Sequence, residues 1–168
     1  MDPFAILGIA PSFDVDLGAI EQTHRELSRA LHPDRYVGAG SSERREALAR
    51  AMEVNEAWRI VRDPIRRAEA LLQRHGVTVA EDHAPPADPE FLMEMLEQRE
   101  ALSEAIAAKD RDAVARLAAA VRTRAEATER AVADGFAAKA TDTVTVRLGE
   151  LRFFRRFLDE VSAVEDEL

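Results

Sequence analysis

Three consecutive residues, His32, Pro33 and Asp34, lie between two segments of helical periodicity and place an imidazole beside a carboxylate. Proline restricts the local backbone, so this turn would present both side chains in a defined arrangement. Such a pair could transfer protons as a general acid and base, or it could bind a partner protein. Arginines on either side of the turn would offer a basic surface suited to an acidic partner: Arg25, Arg29 and Arg35.

The tripeptide by itself is a weak signal, because many helices end at the residue before a proline. An enzyme that used His32 and Asp34 as an acid–base pair would need a substrate pocket, which a surface turn between two helices does not offer. A purely structural helical protein would give no reason for this turn beside a basic face. The tripeptide alone leaves all three alternatives open.

Composition excludes several classes of site. The 168 residues contain no cysteine, so disulfides, thiolate metal sites and cysteine nucleophiles are excluded, and the four histidines are scattered. The net charge of −9 argues against general nucleic-acid binding, which needs a basic footprint. We therefore expect no metal site, no cofactor and no nucleic-acid partner.

Targeting signals and the charge distribution indicate the expected cellular compartment and the kinds of partner. No apolar run approaches the roughly 20 residues that span a bilayer, so no membrane association is expected. Residues 1–4 lack the basic and then apolar pattern of a signal peptide, which favours the cytoplasm. Residues 1–76 hold 11 basic and 12 acidic side chains, whereas residues 77–168 hold 12 and 20. The two parts are therefore expected to face different partners.

Helical periodicity surrounds the turn and defines a first domain at 1–76. Helices are predicted from about Leu17 to Leu31, with Asp16 as N-cap, and from about Glu43 to Arg62. A short helix then runs from Asp63-Pro64 to His75-Gly76. The predicted stripe of the first helix contains Leu17, Ile20, His24, Leu27 and Leu31. That of the second contains Leu48, Met52, Asn55, Trp58 and Val61.

Residues 77–88 lose this periodicity and contain two adjacent prolines, so they are interpreted as a short, stiff linker. Three helices are predicted beyond it: from Asp88-Pro89 to about Lys109, from about Asp110 to near Gly135, and from an N-cap at Asp142 onward. Short connections between long amphipathic helices predict an antiparallel three-helix bundle at 89–168. No segment alternates with a period of two, so the fold class is all-α.

The helix after Asp88 carries a row of glutamates beside apolar side chains. At about 100° per residue, Leu92, Met93 and Leu96 lie within or beside the acidic arc. The inward face holds Phe91, Met95, Leu102 and Ile106. This pattern is typical of a partner surface with apolar anchors, or of a wide core stripe beside a solvated face. Phe153 points away from the mean inward direction of the last helix, which favours the partner surface.

Further motifs surround the tripeptide in a fixed order. Asp-Pro-Phe-x-x-Leu-Gly opens the chain, Val-Asn-Glu-Ala-Trp occupies 54–58, and Asp-Pro-x-x-Arg-Ala occupies 63–68. This order resembles a J domain, the module through which J-proteins activate DnaK-like chaperone ATPases. The resemblance covers about residues 1–76.

Motifs further along the chain narrow the resemblance to one family of J-proteins. Arg-Ala-Glu-x-Leu-Leu at 67–72, Phe-Leu-Met-Glu-x-Leu-Glu at 91–97 and Leu-Arg-Phe at 151–153 are similar to the HscB family, the J-proteins of bacterial iron–sulfur cluster assembly. This resemblance implies a co-chaperone without catalytic activity of its own, and we expect the protein to be monomeric. It would stimulate the ATPase of an HscA-type, DnaK-like chaperone and deliver the iron–sulfur scaffold protein IscU to it. The alternative is a general J-protein that delivers unfolded clients.

The resemblance also implies site residues. The chaperone-binding positions would be His32, Pro33, Asp34, Arg29, Arg25 and Arg35. The scaffold-binding positions would be Leu92, Met93, Leu96, Glu97, Glu100, Glu104 and Phe153. Arg35 stands where many J domains have lysine, which keeps the charge but changes the geometry. His24 stands where an apolar or aromatic side chain is usual and is interpreted as a packed structural histidine.

Overall fold

The computed structural model describes residues 1–77 and 88–165, and its described elements are all helices, so the all-α prediction is confirmed. The chain divides into two compact units, Met1–Val77 and Thr78–Leu168. The predicted linker lies outside the described residues except for Val77 and Asp88.

The first unit is organised around its longest helix, which contacts the other elements of the unit. Its core is formed by apolar side chains from all four helices and from the segment after the first of them. The elements are α1 (Pro3–Ile6), α2 (Leu17–Ala30), a 3-10 turn (Pro33–Tyr36), α3 (Ser41–Arg62) and α4 (Pro64–Arg74). The His-Pro-Asp turn therefore joins the end of α2 to the central helix.

Local capping starts the helices where the sequence predicts. The Asp16 carboxylate accepts the backbone N–H of Ala19 at 3.0 Å, and that of Asp63 accepts the N–H of Ile65 at 2.9 Å. Gly76, which follows α4, has a φ of +77°, the left-handed conformation common after a helix C-terminus. These signals lie within a few residues of the ends that they set.

The predicted stripe of α3 is only partly a core face, since Val61 is fully buried and Trp58 stacks on His24 of α2, but its first half is exposed. Leu48 and Met52 are 57% and 65% exposed. The buried stripe lies about one residue earlier, a rotation of about 100°. It consists of Ala47, Val54, Ala57 and Val61. The two alanines are small and allow neighbouring helices to approach closely. Helix α3 therefore buries this face because other helices pack well against it, and not because it has the larger apolar area.

The second unit consists of α5 (Pro89–Ala107), α6 (Arg111–Ala137) and α7 (Thr141–Glu165), joined by short turns. Helix α6 packs on both α5 and α7, which agrees with the predicted three-helix bundle. The largest fully buried side chains of this unit are Leu102, Val114, Val121, Val132, Val144, Leu148, Phe154 and Val161. Few of them are aromatic, so the core depends on close helix packing.

One predicted helix limit in this unit is made more exact, and one predicted cap is wrong. Helix α6 continues past Gly135 to Ala137, and the left-handed residue after it is Lys139, with a φ of 55°. Asp142 lies in the first turn of α7, which begins at Thr141, so it is not the N-cap. It still complements the helix dipole there. The presence of glycine at position 135 is therefore not explained by the end of the helix.

Close packing of α6 against α7 explains the glycine at position 135. A pair of glycine substitutions can test this explanation. A Cβ on Gly135 would lie 2.7 Å from Val144 Cγ2, whereas a Cβ on Gly149 of α7 would meet nothing within 4 Å. Alanine gains about 1 kcal/mol over glycine inside a helix, but overpacking costs about 1–3 kcal/mol. We expect Gly149→Ala to raise the melting temperature and Gly135→Ala to lower it. Equal shifts in calorimetry would contradict this explanation.

Candidate partner-binding sites

The His-Pro-Asp turn has the geometry that its sequence predicts. His32 Nδ1 accepts the backbone N–H of Asp34 at 3.3 Å and lies 3.5 Å from Asp34 Oδ2. The two side chains are 59% and 86% exposed. The turn thus presents an imidazole and a carboxylate together at the surface.

The turn is held against α2, which carries the basic residues. The Tyr36 hydroxyl donates to the Ala30 carbonyl at 3.4 Å, across the end of α2. Arg25 pairs with Glu21 at 3.0 Å along the same helix. The three arginines of the proposed docking face are exposed: Arg25, Arg29 and Arg35. They supply a cationic surface around the turn.

His24 is a packing residue, as predicted. Its Nε2 lies 2.9 Å from Asn55 Oδ1. Its ring stacks on Trp58 with centroids 5.5 Å apart and planes 17° from parallel. His24 therefore joins α2 to α3 and orients the helix that leads into the turn.

Helix α5 exposes apolar side chains beside its carboxylates. Leu92, Met93 and Leu96 are 42%, 60% and 53% exposed, although the same helix buries a separate apolar face. The glutamates around them are also exposed. We name this surface the α5 patch: Leu92, Met93, Leu96, Glu97, Glu100 and Glu104. Its apolar residues are therefore not part of the core stripe.

Phe153 of α7 is half-buried and packs against α5. Its ring meets Phe91 edge-on, with centroids 5.7 Å apart. The guanidinium of Arg156 lies 4.8 Å from the centroid of the Phe153 ring. The structure thus brings Phe153 to the helix that carries the α5 patch, beside a cation that the sequence analysis did not single out.

One glutamate of α5 that lies outside the α5 patch has a structural role. Glu94 accepts from Arg124 of α6, with an Nη2–Oε2 distance of 2.8 Å. The Arg124 guanidinium also lies 5.4 Å from the Phe154 ring centroid. No periodicity could predict this pair, because its members lie on different helices and 30 residues apart. Glu94 links α5 to α6.

Two other kinds of site are absent from residues 1–77 and 88–165. In those ranges, no helix has the length and apolar character needed to cross a membrane. Over the same residues, no group of three or more His, Asp or Glu side chains is arranged to hold a metal ion.

Comparison with known proteins accounts for both units. Residues 2–70 match the family model described as the DnaJ domain, and residues 87–162 match that of the HSCB C-terminal oligomerisation domain. A co-chaperone protein HscB homolog from Cupriavidus taiwanensis is 37% identical over 170 residues, which cover 99% of this chain and 95% of the relative. The chain belongs to the HscB family of co-chaperones.

Other HscB proteins agree in sequence and fold. The HscB homolog of Neisseria meningitidis serogroup B is 34% identical over 161 residues, covering 95% of this chain and 96% of the relative. The chaperone HscB from Vibrio cholerae superposes with a TM-score of 0.88 at 28% identity, covering 100% and 99% of the two chains. Human co-chaperone HscB has the same fold, with a TM-score of 0.92 at 23% identity over 100% and 84%.

Membership of the family settles the broad function. A J-domain co-chaperone acts on a DnaK-like chaperone, and it is not itself an enzyme. That the exposed His32–Asp34 pair belongs to the chaperone-binding surface remains a prediction.

Proposed function

We propose that this protein stimulates ATP hydrolysis by an HscA-type chaperone and delivers the iron–sulfur scaffold protein IscU to it. The observation that carries the proposal is the α5 patch, whose leucines are exposed while the core face of the same helix is buried. Contact of these apolar side chains with water is unfavourable. A partner that covers them removes this contact, which makes the free energy of binding more favourable. Nothing in the packing of the bundle requires them to be exposed.

The first unit supports the chaperone half of the proposal. His32 and Asp34 are exposed and held 3.5 Å apart by the local turn. The neighbouring arginines favour encounter with an acidic surface, since complementary charges accelerate association. We propose that the arginines of α2 bring the ATPase to the turn, and that the turn then makes the contact that promotes hydrolysis.

The second unit supports the scaffold half. Fully burying one leucine or methionine side chain contributes about 1.5–3 kcal/mol. Leu92, Met93 and Leu96 are about half exposed, so each can contribute a part of that value on binding. The exposed carboxylates beside them favour a basic rim on the partner. An apolar centre with a charged rim is the usual anatomy of a specific protein interface.

Holding both partners on one chain raises their effective concentration. A linked second binding event can exceed the separate affinities by about 10²–10⁴-fold when the geometry allows both contacts. Modest affinities on each unit therefore suffice. We further propose that the protein performs this delivery in the cytoplasm and as a monomer. Sedimentation of the full chain can check the oligomeric state.

The test is the steady-state ATPase rate of the HscA-type chaperone at a sub-saturating concentration of this protein, with and without the scaffold. We expect stimulation by this protein alone and roughly tenfold more when the scaffold is added. An unfolded client that replaces the scaffold should give less. Stimulation that ignores the scaffold but responds to any unfolded chain would favour a general J-protein. No stimulation at all would contradict both halves of the proposal.

A further inference from the structure

A groove lies between α5 and α7, beside Phe153. Its volume is about 350 Å³, and it is lined by Met95, Arg99, Phe153, Arg156 and Phe157. Met95 and Phe157 are 5% and 3% exposed, so they form an apolar floor. Ligand pockets span about 300–1,000 Å³, so this groove is large enough for one or two side chains but not for a helix.

The groove exists because α7 packs chiefly on α6 and makes few contacts with α5. The contacts between α5 and α7 include the edge-on packing of Phe91 on Phe153 and an ion pair of Arg99 with Glu160 at 3.0 Å. These contacts hold the two helices at either end of the groove. The space between them is therefore part of the folded bundle.

Two arginines line the groove, whereas glutamates surround the leucines of the α5 patch. The Arg156 guanidinium covers one face of Phe153, and the Arg99 side chain is 65% exposed while paired with Glu160. On a helical wheel with Glu90 at zero, Arg99 lies at about 180°, the leucines at about 200–240° and the glutamates at about 280–340°. The surface therefore runs from basic through apolar to acidic.

We propose that this groove is the second half of the scaffold-binding surface and takes an apolar side chain of the scaffold that stands next to a carboxylate. This inference rests on the proposed function. The apolar side chain covers Met95 and Phe157, and the carboxylate pairs with Arg156. The basic rim of the scaffold meets the glutamates of α5. A reversed orientation would place like charges together and weaken binding, so the groove favours one orientation of the partner.

The first experiment is titration calorimetry of the full chain with the scaffold protein. Arg156→Glu should weaken binding at least tenfold, because it repels the proposed carboxylate. Arg130→Glu, which makes the same charge change at an exposed position of α6, should leave the affinity unchanged. Added salt should reduce the difference between the two variants, because it screens exposed charges.

A second measurement blocks the groove without reversing a charge. The chain contains no cysteine, so a cysteine introduced by Arg156→Cys can be labelled alone with a bulky maleimide. The label should abolish binding, whereas the same label on Arg130→Cys should not.

The outcomes separate the two proposals. If the scaffold binds and Leu96→Ala weakens it, but neither change at Arg156 has an effect, the groove proposal is wrong and the α5 patch stands. If the scaffold does not bind the unmodified chain, the proposed function fails. Stronger binding of Arg156→Glu would mean that a basic group of the scaffold occupies the groove, which also overturns the inference.

Discussion

His32→Gln is expected to bring the chaperone ATPase rate back to its basal value while the protein stays folded and still binds the scaffold. A tenfold loss of stimulated rate corresponds to about 1.4 kcal/mol, and we expect at least that loss. The reason is that glutamine keeps a polar side chain but loses the planar ring. The rigid imidazole accepts the backbone N–H of Asp34 through Nδ1, and the flexible glutamine amide does not fix its polar atoms in that geometry.

Stability should change little in this variant. The His32 side chain is 59% exposed and holds one local hydrogen bond in the turn, so no core packing is lost. Surface changes of this kind usually stay within about 0.5 kcal/mol. Circular dichroism and scaffold titration of the variant should therefore match the unmodified protein.

A matched control is available in the same unit. His75→Gln makes the same change at another exposed histidine, at the end of α4. It should keep full stimulation. If His32→Gln stimulates as well as His75→Gln does, the turn is not the contact that promotes hydrolysis. If both variants fail, the loss is a general effect on the unit and the specific role of His32 is contradicted.

The second large effect is expected on scaffold binding. Leu92→Ala combined with Leu96→Ala should weaken scaffold affinity about 100-fold, since anchors at an interface centre cost about 2 kcal/mol or more each and are not fully additive. Both side chains are about half exposed, and alanine is a good helix former. The double variant should therefore melt like the unmodified protein. Titration calorimetry with the scaffold measures the effect.

The choice of residues and control follows from burial. Phe153 packs on Phe91, so its truncation would change the stability of the bundle as well as the interface, and it is tested separately. Leu48→Ala with Met52→Ala removes exposed apolar side chains of similar size from α3 of the other unit. That control should bind the scaffold normally. Equal losses in the two double variants would indicate non-specific apolar binding, as expected of a general J-protein.

The sequence alone predicted the fold class, most helix limits and both candidate surfaces. Asp16 and Asp63 cap their helices, and Pro33 shapes the turn, because these interactions are made within four residues and need no distant partner. The exposure of Leu92, Met93 and Leu96 followed from helical geometry and the family motif together. The assignment of these residues to particular partners remains a prediction.

Tertiary structure alone decided which face of α3 is buried, the role of Glu94 and the groove beside Phe153. It also placed Arg67 inside the first unit, where the guanidinium donates to the Val61 carbonyl at 2.7 Å and lies 4.7 Å from the Phe13 ring centroid. Each of these features joins residues that are far apart in the chain or on different helices. Periodicity and capping signals act within a turn or two, whereas packing depends on which surfaces fit together, so only the folded chain contains that information.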